Sequence, residues 1–167
     1  FNLVECYLNS MAWEYLHGDA IDPGLSNRRR RLLEDAWGTK FRDKMQKYPE
    51  IVSGKSLPAD AREVAEAFLA VVKPFRDSLV HPSPFEAPEH FGGYDKLRMV
   101  YRVDVDTLFL ATAMVVDLVE RFQAHLGQGG KSSVVPWLAG LRSALDEHQT
   151  ETPPEWRFWR APGLPGG

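Results

Sequence analysis

Apolar side chains return every three or four residues in five stretches of this chain, each closed by glycine or proline, and that spacing suits helices packed on one another. The first stretch carries Leu3, Val4, Tyr7, Leu8, Met11, Ala12, Tyr15 and Leu16 and stops at Gly18, Pro23 and Gly24. The second is capped by Ser26 or Asn27 and turns Leu33, Trp37, Phe41, Met45 and Tyr48 inward, with Gly38 as a weak point and Pro49 as its stop. After the turn at residues 53–56, Pro58 opens a third helix in which Val64, Phe68, Leu69, Val72 and Phe75 lead to about Val80, with a kink expected at Pro74. Residues 81–94 hold Pro82, Pro84, Pro88, Gly92 and Gly93 and read as a loop, and residues 96–103 as a short extended piece. A fourth helix, capped by Asp104 or Asp106, buries Leu108, Ala111, Met114, Val115, Leu118, Val119 and Phe122 and ends in the glycine-rich residues 127–130. A fifth opens near Ser132 or Ser133 and carries Trp137, Leu138, Leu141 and Leu145. The expectation is an all-α fold, an up-and-down bundle of four to five helices over residues 1–149 with no sheet of any size, followed by an irregular tail over 150–167.

With 167 residues and 44% hydrophobic content the chain can close one core, and nothing in its size asks for a second globular domain. A net charge of -3 and a pI near 6.0 leave no global positive field, so a nucleic acid would have to be held by a local basic patch. Cys6 stands alone, which excludes an internal disulfide and a paired-cysteine zinc site. His17, His90 and His125 lack ligand spacing, so neither a metal nor another cofactor is expected. There is no internal repeat and no glycine-rich phosphate loop. The most apolar stretch, Leu108 to Val119, is interrupted by Thr112 and Asp117 and is too short to cross a bilayer, and the first residues lack the basic-then-apolar pattern of a signal peptide. A soluble, cytoplasmic protein is expected, and the opening on Phe1 rather than Met points to an upstream piece.

The segment with the most chemical promise is Arg76-Asp77-Ser78-Leu79-Val80-His81. His81 precedes Pro82, which pushes it out of the helical region, so the third helix should end at or just before it and Arg76 becomes its last-turn cation. An imidazole at that exit, with a reference pKa of roughly 6.5, can take or give a proton near neutral pH, and an arginine can hold a phosphate through two parallel hydrogen bonds. That pairing suits RNA cleavage without a metal: the 2′-hydroxyl is the internal nucleophile, histidine the general acid or base, and the guanidinium the partner of the charge growing on the phosphate. The bland alternative is a cation that complements the helix dipole and a histidine that bonds a free carbonyl. Arg142 and His148, with five residues between them instead of four, form a similar pair on the last helix, beyond the core bundle, and are set aside for that reason.

Residues Phe75 to Pro84, FRDSLVHPSP, resemble the R-x4-6-H motif of HEPN domains: a polar residue after the arginine, an aliphatic pair before the histidine and a proline behind it. The helix order from about residue 1 to 126 is similar too, with a long first helix, a basic second one, a third ending in the motif, then a loop and an apolar fourth helix. The resemblance implies an HEPN-like bundle, commonly a homodimer whose two motifs line one cleft, and an RNA-cleaving toxin or defence protein. Carried over by position, Arg76 and His81 are the catalytic pair and Asp77 the adjacent residue that orients the site, with an antitoxin or other protein as a further partner. Members that have lost cleavage serve as dimerisation, partner-binding or nucleotide-binding modules, and these readings stay open beside the nuclease.

Arg28, Arg29, Arg30 and Arg31 crowd the first turns of the second helix, where positive charge opposes the dipole. With Lys40, Arg42, Lys44 and Lys47 they form either a stripe that tracks an RNA backbone or a solvated face paired with Glu34, Asp35 and Asp43. Trp13, Trp37 and Trp137 fall on apolar stripes and are expected in the core. The tail segment from Trp156 to Arg160, three aromatics and two arginines, needs a surface to dock on: the domain itself, a second subunit, a partner or a nucleobase.

Overall fold

A computed structural model describes residues 1–19, 21–80, 105–127 and 135–151. Among them there are six α-helices and no strand: α1 (Asn2–His17), α2 (Asn27–Glu34), α3 (Phe41–Ser53), α4 (Ala59–Val80), α5 (Val105–Gly127) and α6 (Pro136–Glu151). The fold is therefore all-α, with one helix more than the apolar stripes suggest. The expected loop at 81–94, the extended piece at 96–103, the caps Asp104, Ser132 and Ser133, and the tail segment 156–160 lie outside the described residues.

The additional helix comes from a break inside the expected second one. Asp35 follows α2 and turns its side chain back on the chain, its Oδ1 accepting from the Gly38 amide at 2.7 Å, while its carbonyl accepts from the Thr39 amide at 3.1 Å. Such local bonds compete with the helical ladder and end it. A Cβ on Gly38 would come within 2.3–2.9 Å of the Asp35 carboxylate, which would then have to give up its place against the amide. Pro49, expected as the stop, instead sits inside α3, which runs on to Ser53 and closes on Gly54 in the left-handed region (φ 72°). The proline ring is fully buried there, which offsets its missing backbone donor. α4 likewise continues through Pro74 as a single element.

α5 is the centre of the molecule and packs on α1, α3, α4 and α6. Its middle is buried all round, from Met114 through Val119 and on to Phe122 and Leu126, as expected of a helix enclosed by others. Val4, Leu8 and Met11 of α1, Met45 and Tyr48 of α3, and Phe68 of α4 meet it in one cluster. Each fully buried apolar side chain of this size stabilises the fold by about 1.5–3 kcal/mol. α2 is held at one edge: Leu33 is buried, and the Leu32 carbonyl accepts from the Tyr48 hydroxyl at 3.0 Å and from the Thr39 hydroxyl at 3.3 Å.

Two of the three tryptophans expected in the core are not there. Trp13 is 63% exposed and Trp37 98% exposed, while Trp137 packs half-buried against the core cluster. The buried positions of α1 are 4, 7, 8, 11, 12 and 15, and Trp13 falls off that stripe; Trp37 lies in the turn that splits α2 from α3.

Candidate functional site

Arg76 lies four residues before Val80, the last described residue of α4, so it stands just before the final described turn and not in it. The Arg76 Nη1 donates to Asp77 Oδ1 at 3.0 Å, and the guanidinium carbon sits 4.9 Å from the centre of the Phe1 ring, a cation–π contact. Asp77 is also paired with Lys73 one turn earlier. Burial pushes the Asp77 carboxyl up, but the hydrogen bonds from Lys73 and Arg76 outweigh it and hold the group below its ordinary range. Asp77 thus stays ionised and fixes the direction of the guanidinium.

Arg76 is one wall of a groove of about 430 Å³ formed where α1, α4 and α5 meet, lined also by Phe1, Val71, Phe75, Thr107, Leu108 and Ala111. A third of the arginine side chain is exposed, while its Nε is buried with no hydrogen-bond partner among the described residues. A cation partly exposed against an apolar wall attracts an anion more strongly than one surrounded by water. Among the described residues that line this groove, Arg76 is the one titratable side chain. Proton transfer would have to come from His81, which follows Val80 directly and lies outside the described residues.

The basic face is smaller than the sequence suggests. Arg28, Arg29, Arg30, Arg31 and Lys40 are exposed, whereas Lys44 is 1% exposed and paired with Glu5 of α1 at 2.8 Å. Lys44 therefore belongs to the interior and cannot track an RNA backbone. Arg42 pairs with Glu66 and Lys47 with Asp43, both on the surface. Arg142, the second arginine at motif spacing, is tied to Glu120 of α5, whose carboxylate holds its charge in place.

Periodicity alone could not find the Phe1 ring under Arg76 or Leu108 beside it, because both arrive by tertiary packing. The Lys73–Asp77 pair was open to discovery through its i,i+4 spacing. His125 is buried and hydrogen-bonded to Ser53 Oγ at 2.8 Å. Among the described residues no helix is long and apolar enough to cross a membrane. Compared with protein-family models, with curated proteins and with solved structures, the chain shows no match.

Proposed function

We propose that the chain is a metal-independent endoribonuclease of the HEPN type, acting in the cytoplasm as a toxin or defence protein. In this reading Arg76 holds the scissile phosphate and the charge that grows on it, His81 transfers the proton, and Asp77 aims the guanidinium. The observation that carries it is the setting of Arg76: a partly exposed guanidinium oriented by a doubly paired carboxylate, at an open groove and five positions before His81 in the sequence. The functional unit is a homodimer with two such sites facing one cleft. Leu3, Val105 and Leu108, all exposed large apolar residues at the starts of α1 and α5, are the surface a second copy would cover. An antitoxin would act by occupying this cleft.

Cleavage of single-stranded or structured RNA in the presence of EDTA tests the proposal. His81→Ala is expected to lower the rate by about 10²–10⁴-fold and Arg76→Ala by about 10²–10³-fold. Parent-like cutting by His81→Ala, or no cutting of any RNA by the pure parent, would overturn it.

A second reading has an observation of its own. The ion pair with Asp77 and the contact with Phe1 give Arg76 a place in the fold, as in a non-catalytic module that dimerises, docks on a partner or holds a nucleotide. That reading expects the Tm of both Arg76→Ala and His81→Ala to fall by several degrees, whereas the nuclease expects near-parent melting.

A further inference from the structure

We propose that the groove between α1 and α2 is a platform for single-stranded nucleic acid, distinct from the Arg76 groove and usable whether or not a strand is cut. The inference takes its ligand class from the nuclease reading and adds a surface that reading does not include. The groove encloses about 500 Å³ and is lined by Asn9, Ser10, Trp13 and Glu14 of α1 and by Leu33 and Glu34 of α2, among others. It lies along α1 from Phe1, and at 1.5 Å per residue Trp13 is about 18 Å from the Arg76 contact.

Three observations converge on it. The first is flat, open aromatic surface. Trp13 is stacked on His17 on one side only, with ring centres 4.6 Å apart, and Trp37 follows Ala36, which lines the groove, with its ring almost wholly in water. An indole left exposed at the rim of a cavity offers a face to any base.

The second is unpaired positive charge. Arg42, Arg62, Arg76, Arg121 and Arg142 are each ion-paired, whereas Arg28, Arg29, Arg30 and Arg31 form no ion pair among the described residues. Arg29 and Arg30 stand one helical turn before Leu33 and Glu34, so they continue the same edge of the groove. Four like charges crowded on an eight-residue helix cost stability, and a polyanion would relieve that repulsion.

The third is the polarity of the floor. Glu14 and Glu34 line it, and Asn9 Oδ1 is buried with no hydrogen-bond partner among the described residues. Phosphates would not run over two carboxylates. They would follow the arginine edge, leaving the acceptors to the exocyclic amino groups of the bases. An anionic lipid surface would meet the arginines and indoles equally well, but its acyl chains would leave those acceptors without donors. An acidic peptide would set its own carboxylates against Glu14 and Glu34.

Binding is measured on the full chain by fluorescence anisotropy with a 2′-O-methyl oligoadenylate of about 12 nucleotides, a length within single-strand site sizes. The 2′-O-methyl group removes the internal nucleophile, so failure here and failure of the cleavage reading are separate results. Trp13→Ala and Trp37→Ala are each expected to weaken binding by about 5- to 100-fold. The double variant Arg29→Ala/Arg30→Ala is expected to weaken it and to flatten its salt dependence by about 0.7 in log–log slope per lost phosphate contact. Lys55→Ala, an exposed cation elsewhere, should bind like the parent. Circular dichroism is expected to show parent-like helix content for all four, since the side chains removed are exposed. Parent-like affinity in the tryptophan variants, equal affinity for a duplex of the same length, or binding to phosphatidylserine vesicles with none to the oligonucleotide would each overturn the inference.

Discussion

A buried ammonium is tolerable only while its counter-charge stays with it, and Lys44 depends on Glu5 in this way. The two partners are unequal: Lys44 is enclosed, while Glu5 reaches partly into solvent. Replacing Glu5 by Gln should therefore cost about 3 kcal/mol, because it strands the charge inside, whereas Lys44→Met should be nearly neutral, because it leaves only a solvated carboxylate behind. Urea unfolding of both variants checks the asymmetry, and equal losses would contradict it. Asp77 carries a pH signature. Its folded-state carboxyl lies below the unfolded value of 3.8, so it adds stability that is complete above that value and lost as the pH falls through the lower, folded one. The stability gap between the parent and Asp77→Asn should hold constant at neutral pH and close below roughly pH 3.8; a gap independent of pH would mean that the Lys73 and Arg76 contacts add nothing. Neither pairing could be read equally well from the chain. Lys73 and Asp77 announce themselves by spacing, but Glu5 and Lys44 are 39 positions apart, and only the packing of α1 on α3 unites them.

At the scale of elements, the turn between α2 and α3 rests on one carboxylate that bonds a glycine amide. A methyl group at position 38 would displace that carboxylate, so Gly38→Ala should cost about 1 kcal/mol in the parent. In an Asp35→Ala background the same change should cost little, since nothing is left to displace. Additive losses in that double-mutant cycle would show that the strain lies elsewhere. α1, α4 and α5 were legible because long apolar stripes run along them, and α1 closes at Gly18, where the stripe breaks off. The α2–α3 break was not, because a side chain closing on a nearby backbone amide leaves no periodic trace and Pro49 suggested a later stop. Trp37 falls on the apolar stripe only if that helix is continuous, and the break at Asp35 leaves it in solvent.

At the scale of the whole molecule, the proposed cleft requires two copies. Leu108 is 58% exposed beside the Arg76 groove, and Leu108→Asp should leave the monomer folded while driving a dimer apart and lowering cleavage with it. Light scattering across a dilution series, together with the RNA assay, measures both effects, and a variant that remains dimeric would move the interface elsewhere. The helical architecture was legible from pattern alone; the groove was not, because its walls come from three helices distant in sequence. The central helix links this groove to the opposite end of the molecule. Thr107 and Leu108 in the first turns of α5 form part of the groove, while His125 in its last turn is fastened to Ser53. A helix of 23 residues spans about 34 Å, so one element serves two separate tasks: its first turns line the opening beside Arg76, while its last turn is fastened to α3 through Ser53 and His125.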